Sequence, residues 1–115
     1  MLGVTLTLRD HRVKDVEGSG CHGRRSRTWR RFWEMKTGLQ FPEECRRYDC
    51  WKKAEVGAHV FVDCIYEGNF NHRENFILPS CTECNQKNQK KHFDPNRDSW
   101  GNVKSGAKVA WTTPF

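Results

Sequence analysis

The stretch KKAEVGAHVFVDC, residues 52–64, predicts the strand around which the rest of the chain is organised. Alternation of side chains along a strand places His59, Phe61 and Asp63 on one face and Val60 and Val62 on the other. His59 then has three interpretations: a catalytic base, a metal ligand or a packed core residue. The sequence on either side of the strand bears on this choice, because it carries the strongest chemical signal in the chain.

Four of the six cysteines flank this strand in two close pairs, Cys45 with Cys50 and Cys81 with Cys84. Two short turns that each present two thiolates supply the tetrahedral ligand set that zinc prefers, and Cys81-x-x-Cys84 has the spacing of a zinc knuckle. The sequence therefore predicts one structural zinc ion bound by these four residues. The alternatives are free thiols, or two disulfides in an oxidising compartment. The basic residues expected to compensate the charge of the zinc-thiolate site are Arg46, Arg47, Lys52 and Lys53.

The two remaining cysteines, Cys21 and Cys64, are interpreted as small apolar side chains, with a mutual disulfide or a place in the metal site as the lesser alternatives. Reduced thiolate ligands imply an intracellular, reducing compartment, the cytosol or an organelle interior. No apolar run approaches the roughly 18 residues of a membrane-spanning helix, and MLGVTLTLRDHR lacks the features of a secretory signal. The sequence thus predicts no membrane span.

The 115-residue chain is basic, with 20 Lys and Arg against 14 Asp and Glu and a formal charge of +6. This excess predicts an anionic partner, either nucleic acid or an acidic protein surface, and the alternative is a solvated basic face. The candidate binding residues lie in two clusters: Arg24, Arg25, Arg27, Arg30 and Arg31, and then Lys87, Lys90 and Lys91.

The segment SRTWRRFWEMK, from Ser26 to Lys36, predicts an amphipathic helix. Trp29, Phe32 and Trp33 recur at helical spacing and form a core-facing stripe, and Gly38 is placed to end the helix. Strands are predicted at Val4–Leu8, Glu55–Val62 and Asn75–Pro79, a polar helix at Asn85–His92, and a small hairpin between Trp100 and Trp111.

In this order the elements resemble the HNH, or ββα-metal, nuclease superfamily. The segments that carry the resemblance are SRTWRRFWEMKTG, CRRYDC, KAEVGAHV, NFILPSC and ECNQKN, and they are most similar to small HNH-like proteins with a GAHV strand and a PxC knuckle. The resemblance implies an α+β fold with a zinc-stapled, treble-clef-like ββα-metal core, an N-terminal amphipathic helix and short peripheral strands. It implies one domain over 1–115, with a core of about 26–92 and peripheral extensions at 1–25 and 93–115.

The resemblance also implies catalytic positions. His59 matches the general base, Asn75 the asparagine that orients the hairpin, and Asn85 a helix position that often carries a metal-binding histidine. The chain departs from this pattern at Ala58, where a metal ligand is usual, and at Gln89, one helical turn after Asn85. The catalytic Mg²⁺ would therefore be bound only if Glu55, Asp63 or His72 replaced the missing ligands.

This departure argues against catalysis. The metal ion in such sites lowers the activation barrier by several kcal/mol. A histidine acting without it accelerates the reaction only about 10²- to 10⁴-fold. The sequence favours a non-catalytic zinc module that binds nucleic acid or a ribonucleoprotein. The alternatives are a structural accessory subunit of a larger protein assembly and a metal-dependent HNH endonuclease with altered ligands. His59 is then expected either to hydrogen-bond the following loop or to lend a ligand to the zinc.

Overall fold

The computed structural model describes residues 5–9, 11–15, 23–64, 75–87 and 101–112. Within these ranges the chain forms six strands and two helices. In chain order they are β1 (Thr5–Thr7), β2 (His11–Asp15), α1 (Gly23–Thr37), β3 (Val56–Cys64), β4 (Asn75–Ser80), α2 (Thr82–Lys87), β5 (Gly101–Asn102) and β6 (Lys108–Thr112). Neither helix combines the length and apolarity needed to cross a membrane.

The strands form one antiparallel sheet in the order β1-β6-β4-β3-β2-β5. The nine-residue β3 is central, since His59 lies opposite Ile77 of β4 while Val60 lies opposite Asp15 of β2. All six residues of β4 are buried, so this strand is covered on both faces. Strands buried in this way carry continuous apolar sequence, as NFILP does.

One face of the sheet closes over an apolar cluster that includes Ala58 and Val60 of β3. The Leu8 N–H donates to the Ala107 carbonyl at 2.7 Å, and the Val103 N–H donates to the His11 carbonyl at 3.4 Å, so the connection between β5 and β6 is bonded both to the end of β1 and to the start of β2. These bonds bring opposite ends of the sheet together, and the sheet curls around the cluster. The cluster consists of Leu8, Val13, Ala58, Val60, Phe76, Leu78, Val103, Ala107 and Val109.

The other face packs against α1. Trp33 is buried with Ile77 and Ala110, and its indole N–H donates to the Lys108 carbonyl at 2.9 Å. Each fully buried large side chain of this kind stabilises the fold by about 1.5–3 kcal/mol. The helix ends as predicted, since Gly38 has a φ of 71° and its N–H donates to the Glu34 carbonyl at 2.9 Å.

The predicted α+β fold with a ββα-metal, HNH-like core and an N-terminal helix is wrong, because the molecule is mainly an antiparallel sheet. A two-stranded hairpin and one helix cannot cover both faces of β4 or both of its edges. The strands expected at the periphery are therefore integral members of the sheet, with β6 pairing along the free edge of β4 and β2 along that of β3.

Other predictions of local structure have mixed outcomes. The helix around Ser26–Lys36 and the antiparallel strands that became β3 and β4 are confirmed. The hairpin within Trp100–Trp111 is wrong, because β5 pairs with β2 while β6 pairs with β1 and β4. The polar helix begins three residues early, at Thr82, and residues 88–92 lie outside the described part of the chain. The division into domains stays a prediction.

Gly57 lets α1 approach the sheet closely, which predicts that Gly57→Ala destabilises the fold. A Cβ at this position would lie 2.7 Å from the Trp29 Cβ and 2.8 Å from the Ile77 Cγ2, and backbone and core must shift to admit it. We expect a loss of about 1–3 kcal/mol in the free energy of unfolding, measured by urea titration.

Gly101→Ala is the matched control for Gly57→Ala. Its Cβ would meet the guanidinium end of Arg47 at 3.2 Å, a contact that a side-chain adjustment relieves. This variant should stay within about 0.5 kcal/mol of the parent protein. Equal losses in the two variants would contradict the close approach of α1 at Gly57.

Candidate metal centre

The sulfur atoms of Cys45, Cys50, Cys81 and Cys84 converge, and all four lie within 4.8 Å of one another. The Cys50 Sγ is 3.8 Å from both the Cys81 Sγ and the Cys84 Sγ. A tetrahedral site with metal–sulfur bonds of about 2.3 Å has sulfur–sulfur edges of about 3.8 Å, whereas a disulfide bond measures about 2.05 Å. All four are free thiols, and their arrangement fits one tetrahedral metal ion.

The first cysteine pair lies on a turn that is closed by backbone hydrogen bonds. The Cys45 N–H donates to the Lys52 carbonyl at 2.8 Å, and the Ala54 N–H donates to the Glu43 carbonyl at 2.9 Å. Asp49 reverses the chain with a φ of 57°, a conformation that aspartate tolerates better than most residues. This turn therefore presents both thiols to the same side.

The second pair takes its position from the sheet. Cys81 directly follows β4, and Cys84 lies in the first turn of α2, with its N–H donating to the Cys81 Sγ at 3.3 Å. The Arg46 N–H donates to the Pro79 carbonyl at 3.1 Å and so joins the first turn to the end of β4. The core strand thus fixes the separation between the two pairs.

The surroundings of the thiols act on their pKa values in opposite directions. Burial acts to raise the pKa of Cys45, but hydrogen bonds from the backbone of Arg47 and Cys81 and from Ser80 outweigh it and lower that pKa. Burial raises the pKa of Cys81 and, with the neighbouring sulfurs, that of Cys84. A cation at the centre deprotonates the thiols that it binds, so a metal ion is the partner that this cluster favours.

Lys104 is the basic residue that sequence reasoning missed near the centre. Its ammonium group donates to the Cys50 carbonyl at 2.7 Å and lies 3.5 Å from the Glu44 carboxylate. Of the residues expected to compensate charge, Arg46 donates from its side chain to the Glu44 carbonyl, and Lys52 pairs with Glu83. Lys104 is 54 positions from Cys50, and no motif in the sequence connects them.

The predicted catalytic residues lie in two places. His59 is 1% exposed, on the face of the sheet that packs against α1, with its ring centroid 5.5 Å from that of Trp29. Asn75 belongs to the same face because it alternates with Ile77, the residue opposite His59. Asn85 is buried on α2, where its N–H donates to the Cys81 carbonyl at 3.1 Å.

The metal-ligand group among the described residues consists of the four cysteines, and His59 does not belong to it. Since four thiols complete a tetrahedron, the geometry gives His59 no ligand role at this centre. Its burial against Trp29 matches the interpretation as a packed core residue. Cys21 lies outside the described residues, as does the side chain of Cys64.

The predicted binding residues belong mostly to α1. Arg31 is exposed, and the Arg30 guanidinium lies 4.8 Å above the centre of the Phe41 ring. Lys90 and Lys91 fall outside the described residues. The backbone, but not the side chain, is described for Arg24, Arg25, Arg27 and Lys87.

The fold and the site together define a class, an antiparallel-sheet protein with a four-cysteine candidate metal centre. No protein-family model matches the chain, and no significant similarity to a curated protein or to a solved structure was found. The resemblance to the HNH superfamily therefore stays a prediction.

The geometry predicts one metal ion per chain and a folded state that depends on it. Protein purified under reducing conditions should contain about one equivalent by elemental analysis, and Cys81→Ser should lose most of it because one vertex of the tetrahedron is gone. A chelator should lower the melting temperature, since metal binding contributes folding free energy.

Cys21→Ser is the control for Cys81→Ser, because the four converging sulfurs of the described residues already complete a tetrahedron. Its metal content and its response to the chelator should match those of the parent protein. A parent protein with less than half an equivalent of metal, or an equal loss in both variants, would contradict the assignment.

Proposed function

We propose that this protein is a non-catalytic zinc-binding module that binds nucleic acid, alone or within a ribonucleoprotein, through the outer face of α1. The observation that carries the proposal is the division of this helix into two faces. Trp33 is buried against the sheet, whereas Arg31 and Thr28 are exposed. Helical spacing puts positions 24, 27 and 31 on the side opposite Trp29 and Trp33. All three of these positions are arginines.

The charge of α1 supports an anionic partner. Its 15 residues, GRRSRTWRRFWEMKT, include six basic residues and one acid, and the first turn contains no acid. That acid, Glu34, is already engaged, because its carboxylate accepts the Phe41 N–H at 3.1 Å. Cations near a helix N-terminus are disfavoured by about 0.3–1 kcal/mol each, and bound phosphates offset this cost.

We infer that the metal is zinc and that its role is structural. Four thiolates are a soft ligand set, and four protein ligands in a tetrahedron leave no open position for a substrate. The ion would hold the turn of Cys45 and Cys50 against the end of β4. Thiolate ligands of this kind persist where thiols stay reduced, so we expect an intracellular, reducing compartment.

Binding is proposed rather than catalysis because His59 is only 1% exposed. A general base must come within hydrogen-bond reach of the proton that it removes, and this side chain faces Trp29 instead. Ala58, next to it, has no ligand atom for a catalytic metal ion. Cleavage of plasmid DNA with Mg²⁺, abolished by His59→Ala, would replace this proposal with an HNH-type endonuclease with altered ligands.

The second candidate is a structural accessory subunit of a larger assembly. Met35 is 71% exposed and Leu39 is 45% exposed near the C-terminal end of α1, and an apolar contact of this kind suits a protein partner. Salt-insensitive association with a co-purifying protein after nuclease treatment, with no binding to oligonucleotides, would favour this candidate.

Binding through α1 predicts a steep salt dependence that two arginines control. Arg27→Ala combined with Arg31→Ala should reduce the slope of log K against log salt by about 2 for duplex DNA, because two phosphate contacts are lost. The measurement is fluorescence anisotropy with a labelled oligonucleotide at several salt concentrations.

A control pair removes the same charge elsewhere: Arg9→Ala combined with Lys108→Ala, both at exposed positions outside α1. This pair should leave the slope nearly unchanged. If both pairs reduce it equally, binding follows net charge alone and the outer face of α1 is not the site.

A further inference from the structure

Beside the metal centre lies a cleft of about 270 Å³, here called the aromatic cleft, lined by Tyr48, Asp49, Trp51, Lys104 and Ser105. Tyr48 is 68% exposed and Trp51 is 72% exposed, whereas Trp33 and Phe76 lie in the core. Aromatic rings are the largest apolar surfaces that a small chain can bury. Two that stay exposed and line one cleft indicate a contact surface.

The walls of the aromatic cleft are fixed by the backbone. The turn between Cys45 and Cys50 carries Tyr48, and Trp51 follows it directly. The Tyr48 N–H donates to the Asn102 carbonyl at 2.9 Å, and the Lys104 N–H donates to the Arg46 carbonyl at 2.9 Å. A metal ion bound by the cysteines would hold the aromatic wall from the other side.

The charge in the cleft selects the kind of occupant. The Lys104 ammonium lies 4.5 Å from the centre of the Trp51 ring and covers one face of it, and since Trp51 is 72% exposed, a stacked ligand would use the other face. Lys104 also lies 3.5 Å from the Glu44 carboxylate, and Asp49 lines the same cleft, so the cleft has no excess charge that would attract an ion and favours a neutral planar ring. The Asp49 carboxylate offers an acceptor for an amino group.

We infer that the aromatic cleft holds an unpaired base of single-stranded nucleic acid, stacked on Trp51. The inference rests on the proposed function and adds that the bound nucleic acid is single-stranded. A volume of 270 Å³ falls just below the roughly 300–1,000 Å³ of pockets for drug-sized ligands and suits one planar ring system. Bases within a duplex are stacked on each other and cannot offer a face to Trp51, so only a single strand fits.

The test compares Trp51→Ala, Trp51→Phe and the parent protein on a labelled 12-nucleotide single strand and on the duplex of the same sequence. Trp51→Ala should weaken single-strand binding roughly 5- to 150-fold, and Trp51→Phe should restore most of it because phenylalanine still stacks. Duplex binding and the salt slope should stay unchanged, since no phosphate contact is removed.

Leu6→Ala is the control, because Leu6 is an exposed apolar residue on β1, outside both α1 and the cleft. It should leave the affinities for single strand and duplex unchanged. Metal content should equal that of the parent in all variants, which shows that the centre is intact.

Two outcomes overturn the inference in distinguishable ways. Unchanged single-strand binding by Trp51→Ala, or an equal loss on the duplex, removes the cleft from the site while binding through α1 stands. Failure of the parent protein to bind any oligonucleotide at low salt removes the proposed function and the inference together.

Discussion

The burial of β4 on both faces is the constraint on which the rest of the structure depends. A strand with six buried residues needs a neighbour along each edge and cover over each face. β3 and β6 occupy the edges, α1 covers one face, and the curled sheet closes over the other. Because Cys81 directly follows this strand, the position of the candidate metal centre is set by a strand that is buried along its whole length.

The candidate metal centre would also depend on the surrounding sheet for charge compensation. A divalent ion with four thiolates carries two net negative charges, and burying such a group is unfavourable without nearby donors and cations. Ser80 and backbone N–H groups approach Cys45, while Lys104 donates to the Cys50 carbonyl. Lys104 lies between β5 and β6, so the end of the chain that completes the sheet also stabilises the site.

The sequence predicts the local features of this protein well and the long-range ones poorly. The spacing of Cys81 and Cys84 and the aromatic stripe at Trp29, Phe32 and Trp33 act over a few residues, so the cysteine cluster and α1 could be predicted. β2 could not, because HRVKD looks like a charged loop, although Val13 is fully buried and Lys14 is 3% exposed. The pairing of strands that are far apart in sequence, such as β1 with β6, cannot be predicted from the residues of either strand alone.

The contrast between the tryptophans connects stability with the proposed function. Trp33 fills the interface between α1 and the sheet, whereas Trp51 lies beside the cysteines and remains 72% exposed. A small domain normally needs its large rings for the core, since its buried area is limited. A metal ion bound by the four cysteines would remove that need locally, because metal–sulfur bonds would then fix the turn from Cys45 to Cys50 in place of apolar contacts. Tyr48 and Trp51 could then stay at the surface in a defined position, as the proposed binding of a base requires.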